Sequence, residues 1–305
     1  SENDALNQEA LARVSLSFPV GLKFDLQGGH TEGFDARGSE EDLQLQDLTT
    51  WNTNFLFGQA EYIGSRTGAQ IRFRTIKWDF ENNGQGVPRD NLQNSVNVSA
   101  FFRATRKTFA SLGFGITNTT FDDNKQLDSF AYTINTGFRI PASDRITGDF
   151  QIGVTFLNFD RAPLTTAPGP GLSAGGDGSR QLFMRGNLAW TPTSRLTVIL
   201  RPTRTIGQSA VFGSSTNTRT GGYISASQQL VNRFGLTGVV FYSHNKFSGG
   251  TNRTDHLYQT RIGISYRTVK WLGFQLQYLF QGRKSSTFDF DYYANGIMFS
   301  VQGIL

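Results

Sequence analysis

The segment Leu257–Arg283, LYQTRIGISYRTVKWLGFQLQYLFQGR, alternates between apolar and polar residues at nearly every second position. A period of two indicates β-strands with one apolar and one polar face. Only Thr268–Trp271 separates the two alternating runs, so the segment predicts a hairpin with a tight turn. Each predicted strand is roughly ten residues long, which suffices, when tilted, to cross the hydrocarbon core of a bilayer. The apolar face consists of Tyr258, Ile262, Ile264, Tyr266, Leu272, Phe274, Leu276, Tyr278 and Phe280.

The same unit recurs along the chain from Arg13 onward. Short turns, such as Pro19–Gly21 and Val231–Phe234, alternate with long polar loops, the longest of which is Asp160–Ser179. Outer-membrane barrels combine short periplasmic turns with long extracellular loops in this way. No apolar run approaches the ~18 residues that a membrane-spanning helix needs. We therefore predict an all-β fold: a single antiparallel transmembrane β-barrel with short periplasmic turns and long extracellular loops.

The sequence also predicts how the chain is divided. Residues 1–12, SENDALNQEALA, are rich in helix-favouring residues and begin with capping residues, which predicts a helical N-terminal segment. Residues 13–305 form the barrel, and about fifteen strand-like runs can be recognised in them. Since a closed single-chain bacterial barrel has an even number of strands, we expect about sixteen, with about fourteen as the nearest alternative.

Composition narrows the classes of function. The 305 residues include no cysteine, which excludes disulfide scaffolds, thiolate zinc sites and a lipidated N-terminal cysteine. The formal charge of +5 is mild and does not imply nucleic acid binding. No metal-ligand spacing and no phosphate-binding glycine loop occurs in the sequence, so we expect neither a metal nor a cofactor. Gly113-Phe114-Gly115 lies within a predicted strand, where glycine permits close approach of a neighbouring side chain or backbone.

The polar faces of the predicted strands carry an excess of basic residues. In one strand the alternation shifts by one residue, and a β-bulge near Thr75 would keep Arg72, Arg74, Lys77 and Asp79 on one face. A wet lumen with a positive bias would select or guide anionic solutes. A solvated polar wall with no selectivity is the simpler alternative for each residue taken singly. The predicted pore-lining residues are Lys23, Arg72, Arg74, Lys77, Arg103, Arg139, Asp149, Arg185, Arg201, Arg261, Gln275 and Gln277.

Aromatic residues occur near the ends of many predicted strands. Amphipathic rings at the two membrane interfaces form the aromatic girdles of outer-membrane barrels. The predicted lipid-facing girdle consists of Trp51, Trp78, Trp190, Tyr223, Tyr242, Tyr266, Trp271 and Tyr278.

Two of the three histidines suggest one catalytic hypothesis. His244 ends one predicted strand and His256 begins the next, so the two can face each other at the outer rim near Ser243 and Asp255. Membrane-barrel hydrolases combine histidine with serine or aspartate at such a rim. Polar residues at loop edges are the commoner explanation, and we predict no catalytic residue and no enzyme.

Two stretches carry a resemblance to a known class. The strand–turn–strand unit LAWTPTSRLTV at Leu188–Val198 and the ending DFDYYANGI at Asp289–Ile297 resemble the outer-membrane β-barrel porin families of Gram-negative bacteria. The nearest resemblance is to barrels encoded with exopolysaccharide export systems. It covers nearly the whole chain, although Leu305 stands where such barrels often end in an aromatic residue. The resemblance implies a bacterial outer-membrane location.

We therefore expect a barrel that gives passive passage to hydrophilic, anionic solutes. Two alternatives stay open: the outer-membrane exit of a polysaccharide secretion system, and a plugged structural barrel that holds partner proteins. The expected partners are membrane lipid and lipopolysaccharide, with further copies of the chain or secretion-system and surface proteins as additional partners.

Overall fold

The computed structural model of the protein describes residues 8–34, 50–81, 90–122, 128–141, 145–159, 179–208, 214–231, 233–249, 253–269, 271–287 and 290–303. These residues form one antiparallel sheet of 15 strands, and the order of the strands in the sheet is their order in the sequence. The strands are β1 (Gln8–Ser17), β2 (Leu22–Phe34), β3 (Thr50–Ile63), β4 (Thr67–Glu81), β5 (Asn91–Arg103), β6 (Phe109–Phe121), β7 (Ser129–Ile140), β8 (Ile146–Phe159), β9 (Ser179–Thr193), β10 (Leu196–Gln208), β11 (Ser214–Val231), β12 (Phe234–Gly249), β13 (Thr254–Val269), β14 (Leu272–Ser285) and β15 (Tyr292–Gly303).

Connections of two to five residues, here called tight turns for their length, join β1 to β2, β3 to β4, and each later pair up to β13 and β14. The strands are 10 to 18 residues long, whereas about 5–6 residues is typical of globular proteins. In the described ranges there is no helix long and apolar enough to cross a membrane. The predicted all-β, antiparallel architecture is confirmed. We call the end of the sheet that carries the tight turns the turn side, and the opposite end the loop side.

The sheet has two edge strands, β1 and β15. Within the described ranges β1 forms a ladder only with β2, and β15 only with β14. Because neighbouring strands are antiparallel throughout, β1 and β15 run in the same direction. The structure describes 15 strands, one fewer than the expected sixteen and one more than the alternative of fourteen.

The predicted N-terminal helix is wrong for residues 8–12. These residues belong to β1, where Gln8 pairs with Glu32 and Ala12 with Gly28. Helix propensity is a weak local preference, and the ladder with β2 satisfies the backbone of this segment and overrides it. Residues 1–7 lie outside the described residues.

The predicted β-bulge near Thr75 is also absent. The ladder between β3 and β4 runs without a register shift from Thr50↔Glu81 to Ile63↔Gly68, and the ladder between β4 and β5 is equally regular. Side chains of β4 therefore alternate strictly, and even-numbered residues from Arg72 to Phe80 share one face.

The two faces of the sheet differ in curvature and in chemistry. On one face large apolar side chains such as Ile71, Leu112 and Ile264 are half exposed. On the other face Arg139 of β7 forms an ion pair with Glu61 of β3, at 2.6 Å between Nη1 and Oε2. Three strands separate β3 from β7 in the sheet, so a direct side-chain contact requires strong curvature toward this face. We call the concave face the lumen and the convex, apolar face the outer face.

Candidate functional site

The lumen encloses a polar cavity of about 600 Å³ at mid-height of the strands. Its lining comes from every strand from β2 to β10, so the curved sheet surrounds it on most sides. Among the lining side chains are the amides of Gln59, Gln70, Asn97 and Gln151. These amides offer both donors and acceptors to a hydrated solute.

Basic residues from opposite walls meet at this cavity. Arg72 and Arg74 extend from β4, and Arg185 extends from β9. Arg72 lies within electrostatic range of Arg185 and Arg139 and of the carboxylates of Asp149 and Glu61, and Arg74 lies within range of Arg185. The four guanidinium groups outnumber the two carboxylates, which leaves an excess of two positive charges. We call these six residues the basic belt.

Two polar atoms at the cavity have no protein partner. Among the described residues, Arg72 Nε and Asn135 Oδ1 are buried atoms without a hydrogen bond. A buried polar atom without a partner is unfavourable, so it indicates a position where water or solute supplies the missing bond. The cavity thus offers one unused donor and one unused acceptor.

Glycines make room for the amides at the cavity. A Cβ on Gly113 would lie 2.5 Å from Asn135 Oδ1, and a Cβ on Gly115 would lie 2.4 Å from Asn97 Oδ1. The register explains these contacts, because Asn135 pairs with Gly113 and Asn97 pairs with Gly115. The close approach predicted for this Gly-Phe-Gly segment is therefore observed.

On the turn side of the cavity, side chains of β3, β4 and β7 contact each other across the lumen face. Glu61 is buried, and its Oε2 accepts hydrogen bonds from Arg139 Nη1 at 2.6 Å and Gln70 Nε2 at 2.5 Å. The Arg139 guanidinium also lies over the Phe101 ring, 5.2 Å from its centroid. This contact between β3 and β7 ties opposite parts of the wall together.

The register places almost all predicted pore-lining residues on the lumen face. Paired residues of adjacent strands share a face, and ladder partners connect each of these positions to the cavity wall. Residues so placed are Lys23, Arg72, Arg74, Arg103, Arg139, Asp149, Arg185, Arg201, Arg261, Gln275 and Gln277.

Lys77 is the exception, and its predicted lumen position is wrong. With no bulge in β4, Lys77 lies on the outer face with its ladder partner Asn54. Its Nζ forms an ion pair with Asp79 Oδ1 at 2.7 Å near the loop side. The pair is therefore outside the pore.

The predicted aromatic girdle divides between the two faces. Trp190, Tyr242, Tyr266 and Tyr278 lie on the outer face, and Trp271 is exposed at the last tight turn. The lipid-facing positions predicted for Trp51, Trp78 and Tyr223 are wrong. Trp51 and Trp78 share the lumen parity of β3 and β4, and their ring centroids are 5.4 Å apart. Tyr223 pairs with Arg201, whose guanidinium lies over its ring.

The rim histidines meet as predicted, but without the other two groups. His244 pairs with His256, and their ring centroids are 4.8 Å apart on the outer face. Ser243 and Asp255 have the opposite parity and are fully buried on the lumen face. Strand alternation therefore separates the histidines from the serine and the aspartate that the catalytic hypothesis requires.

Asp255 belongs instead to a buried network at the loop side of the lumen, and Ser243 donates to Asn245 Oδ1 at 2.8 Å. Arg253 forms a two-pronged ion pair with Asp255, and its guanidinium lies 4.1 Å from the centroid of the Phe290 ring. Ser285 donates to Asp255 at 2.6 Å. No sequence pattern indicates this network, because Arg253 and Phe290 lie in two different connections between strands.

A further group missed by sequence reasoning lies at the loop side. Carboxylate oxygens of Asp79, Asp90 and Asp122 all lie within 4.8 Å of one another. The three residues come from β4 and from the segments flanking β5 and β6, so no short sequence motif joins them. Asp90 also accepts from the Phe80 backbone N–H at 2.7 Å, and Lys77 neutralises Asp79.

Comparisons with known proteins agree with this architecture. The family model described as "Putative beta-barrel porin 2" matches residues 83–303. Among solved structures, the FrpB iron transporter from Neisseria meningitidis (F3-3 variant) has 10% identity and a TM-score of 0.53, covering 94% of this chain and 54% of that chain. The copper transporter OprC also has 10% identity and a TM-score of 0.53, covering 97% of this chain and 56% of that chain.

The chain thus spans about half the length of these structures. At such low identity the likeness concerns the fold alone. No curated protein sequence matches the chain.

Proposed function

The chain belongs to the family described as putative β-barrel porin 2, and on that basis we propose that it gives passive passage to hydrophilic solutes, with a preference for anions. The protein is located in the bacterial outer membrane. The observation that carries the proposal is the basic belt, where Arg72 and Arg74 of β4 and Arg185 of β9 approach each other across the cavity.

The belt acts on a permeating ion by simple electrostatics. A unit charge about 5 Å from an ion in water contributes roughly 0.8 kcal/mol, which corresponds to a factor of about four in local concentration. The excess of two positive charges would then raise the local anion concentration about sixteenfold before screening by salt. The partnerless Arg72 Nε adds a donor at the same height.

Reversal potentials across planar bilayers test the proposal. In a KCl gradient, the wild-type protein should conduct with chloride preferred over potassium. The double variant Arg72→Gln, Arg74→Gln removes both excess charges and should bring the permeability ratio close to one. Lys77→Gln is the matched control, because it removes a cation from the same strand but from the outer face. A silent bilayer would refute passive passage, and equal selectivity in all three proteins would refute the role of the belt.

A second candidate, an exit route for a polysaccharide, is favoured by the amide side chains of the cavity wall. Gln59, Gln70, Asn97, Asn135 and Gln151 line it, and such groups hydrogen-bond readily to sugar hydroxyls. Under this proposal, oligosaccharides added to one side of the bilayer would block the current at much lower concentration than an uncharged polymer of the same size.

A further inference from the structure

A row of four basic residues and one threonine crosses the outer face near the loop side. The row follows the ladder from Arg204 of β10 through Thr220 of β11, His244 of β12 and His256 of β13 to Lys284 of β14. Each residue is the direct partner of the next, so all five side chains project from one face at the same height. We call this set the cationic row.

A row of tyrosines lies directly below the cationic row. Two positions along each strand toward the turn side, Tyr242 of β12 pairs with Tyr258 of β13, whose partner Gly282 pairs with Tyr293 of β15. All three tyrosines are exposed on the outer face. The Tyr242 hydroxyl and His256 Nδ1 are 2.9 Å apart, which links the two rows.

The tyrosines fix the height of the cationic row relative to the bilayer. Amphipathic aromatic rings sit at the level of the lipid head groups, and two residues along a strand correspond to roughly 7 Å. The cationic row therefore lies just beyond the hydrocarbon boundary. Because the long loops of such barrels are extracellular, this boundary is the one with the outer leaflet.

The described residues of this sector carry an excess of positive charge on the outer face. Lys246 adds a further cation one step toward the loops, next to His244. In the described parts of β9–β14, no aspartate or glutamate shares this face, because Asp255 points into the lumen. The outer face of β2–β4 is different: there Glu32, Asp79 and Glu81 accompany the cations near the loop side.

We propose that the cationic row binds the phosphate groups of lipopolysaccharide in the outer leaflet. Lysine and arginine are suited to phosphate, and histidine adds ring N–H donors. The row crosses five strands, which at 4.7–4.9 Å per strand spans roughly 19 Å. That width accommodates a disaccharide head group that carries a phosphate at each end. The site is separate from the lumen and does not depend on what passes through the pore.

Lipid binding by the full chain, refolded in detergent, tests the proposal. The probe is lipid A with both phosphates, compared with its dephosphorylated form and with phosphatidylglycerol, and bound lipid is measured by native mass spectrometry. The wild-type protein should retain the diphosphorylated lipid A in preference to the other two. Since each lysine or arginine near an anionic surface contributes about fivefold in affinity, the triple variant Arg204→Gln, Lys246→Gln, Lys284→Gln should bind at least tenfold more weakly.

The control variant removes basic side chains of β2 and β4, which lie on the outer face outside the cationic row. His30→Gln with Lys77→Gln should leave lipid A binding unchanged, because both residues have carboxylate partners on the outer face. Lys246→Gln alone alters one exposed side chain and should weaken binding about fivefold, which gives a second reading if the triple variant does not fold. Unchanged binding in a folded triple variant would overturn the proposal, as would equal retention of phosphatidylglycerol or of dephosphorylated lipid A.

Discussion

Replacement of Glu61 by glutamine tests the contact that joins the walls of the lumen. Glu61 is the carboxylate that Arg139 reaches across three intervening strands, at 2.6 Å. Its side chain is 6% exposed and that of Arg139 is 24% exposed, so the pair is largely shielded from water. The substitution preserves shape and the hydrogen-bonding capacity toward Gln70 but removes the charge.

The expected loss of stability follows from these contacts. Breaking a fully buried pair costs about 3–5 kcal/mol, because an uncompensated charge is left behind. Arg139 retains a second carboxylate nearby, since Asp149 is its direct ladder partner on β8. The loss should therefore resemble that of one charge-assisted hydrogen bond, about 2 kcal/mol, which is roughly thirtyfold in the unfolding equilibrium. The same change raises the charge excess of the basic belt by one and should increase the preference for anions.

Two measurements check this prediction: the free energy of unfolding and the reversal potential across planar bilayers. Urea unfolding of the protein in lipid vesicles, followed by tryptophan fluorescence, gives the change in free energy of unfolding. Glu32→Gln is the matched control, because Glu32 is a half-exposed carboxylate on β2 whose partner is His30, and it should stay within about 0.5 kcal/mol of wild type. If Glu61→Gln changed neither the stability nor the reversal potential, the contact between β3 and β7 would be refuted, and with it the curvature inferred from it.

Two further predictions concern packing in the lumen and the positions of the tryptophans. Gly113→Val would place a side chain within 2.5 Å of Asn135 Oδ1, and it should destabilise the protein by about 1–3 kcal/mol in the same urea assay. Gly238→Val should have no such effect, because a Cβ there meets nothing within 4 Å. Equal stability of the two variants would contradict the close approach of Gly113 to Asn135. Single-tryptophan variants, in which phenylalanine replaces the other three tryptophans, test the faces of Trp190 and Trp78. Brominated lipid should quench the fluorescence of Trp190 strongly and that of Trp78 weakly, because Trp190 lies on the outer face and Trp78 on the lumen face. Stronger quenching of Trp78 than of Trp190 would show that Trp78 faces lipid.

The sequence was sufficient for the architecture because the alternation in most strands has a single interpretation. In β13 and β14 the residues of one parity are large and apolar, and Ile262, Ile264, Leu276 and Tyr278 all lie on the outer face. A shift of one residue would move this whole set into the wet lumen, so the register is strongly determined. The basic residue of this hairpin, Arg261, then falls on the lumen face without further assumptions.

The sequence was insufficient where contacts join distant strands. Arg139 and Glu61 are 78 residues apart, and nothing in either neighbourhood specifies the other. Their contact depends on how strongly the sheet curves between β3 and β7, which is a property of all the intervening strands. The meeting of Arg72 with Arg185, and the grouping of Asp79, Asp90 and Asp122, depend on the sheet in the same way.

The errors in β3 and β4 have one physical origin. The sequence pattern predicts that these aromatic residues face lipid, yet the concave face can shield them from water as well. Trp78 packs against Trp51 and stacks on Phe80, with centroids 5.4 and 5.9 Å apart. A lipid-facing Trp78 requires a β-bulge near Thr75, and the same bulge would place Lys77 on the lumen face. A single wrong parity thus misplaced two neighbours in opposite directions. Where aromatic side chains pack against each other on the concave face, an aromatic residue does not identify the lipid face, whereas an uninterrupted ladder does.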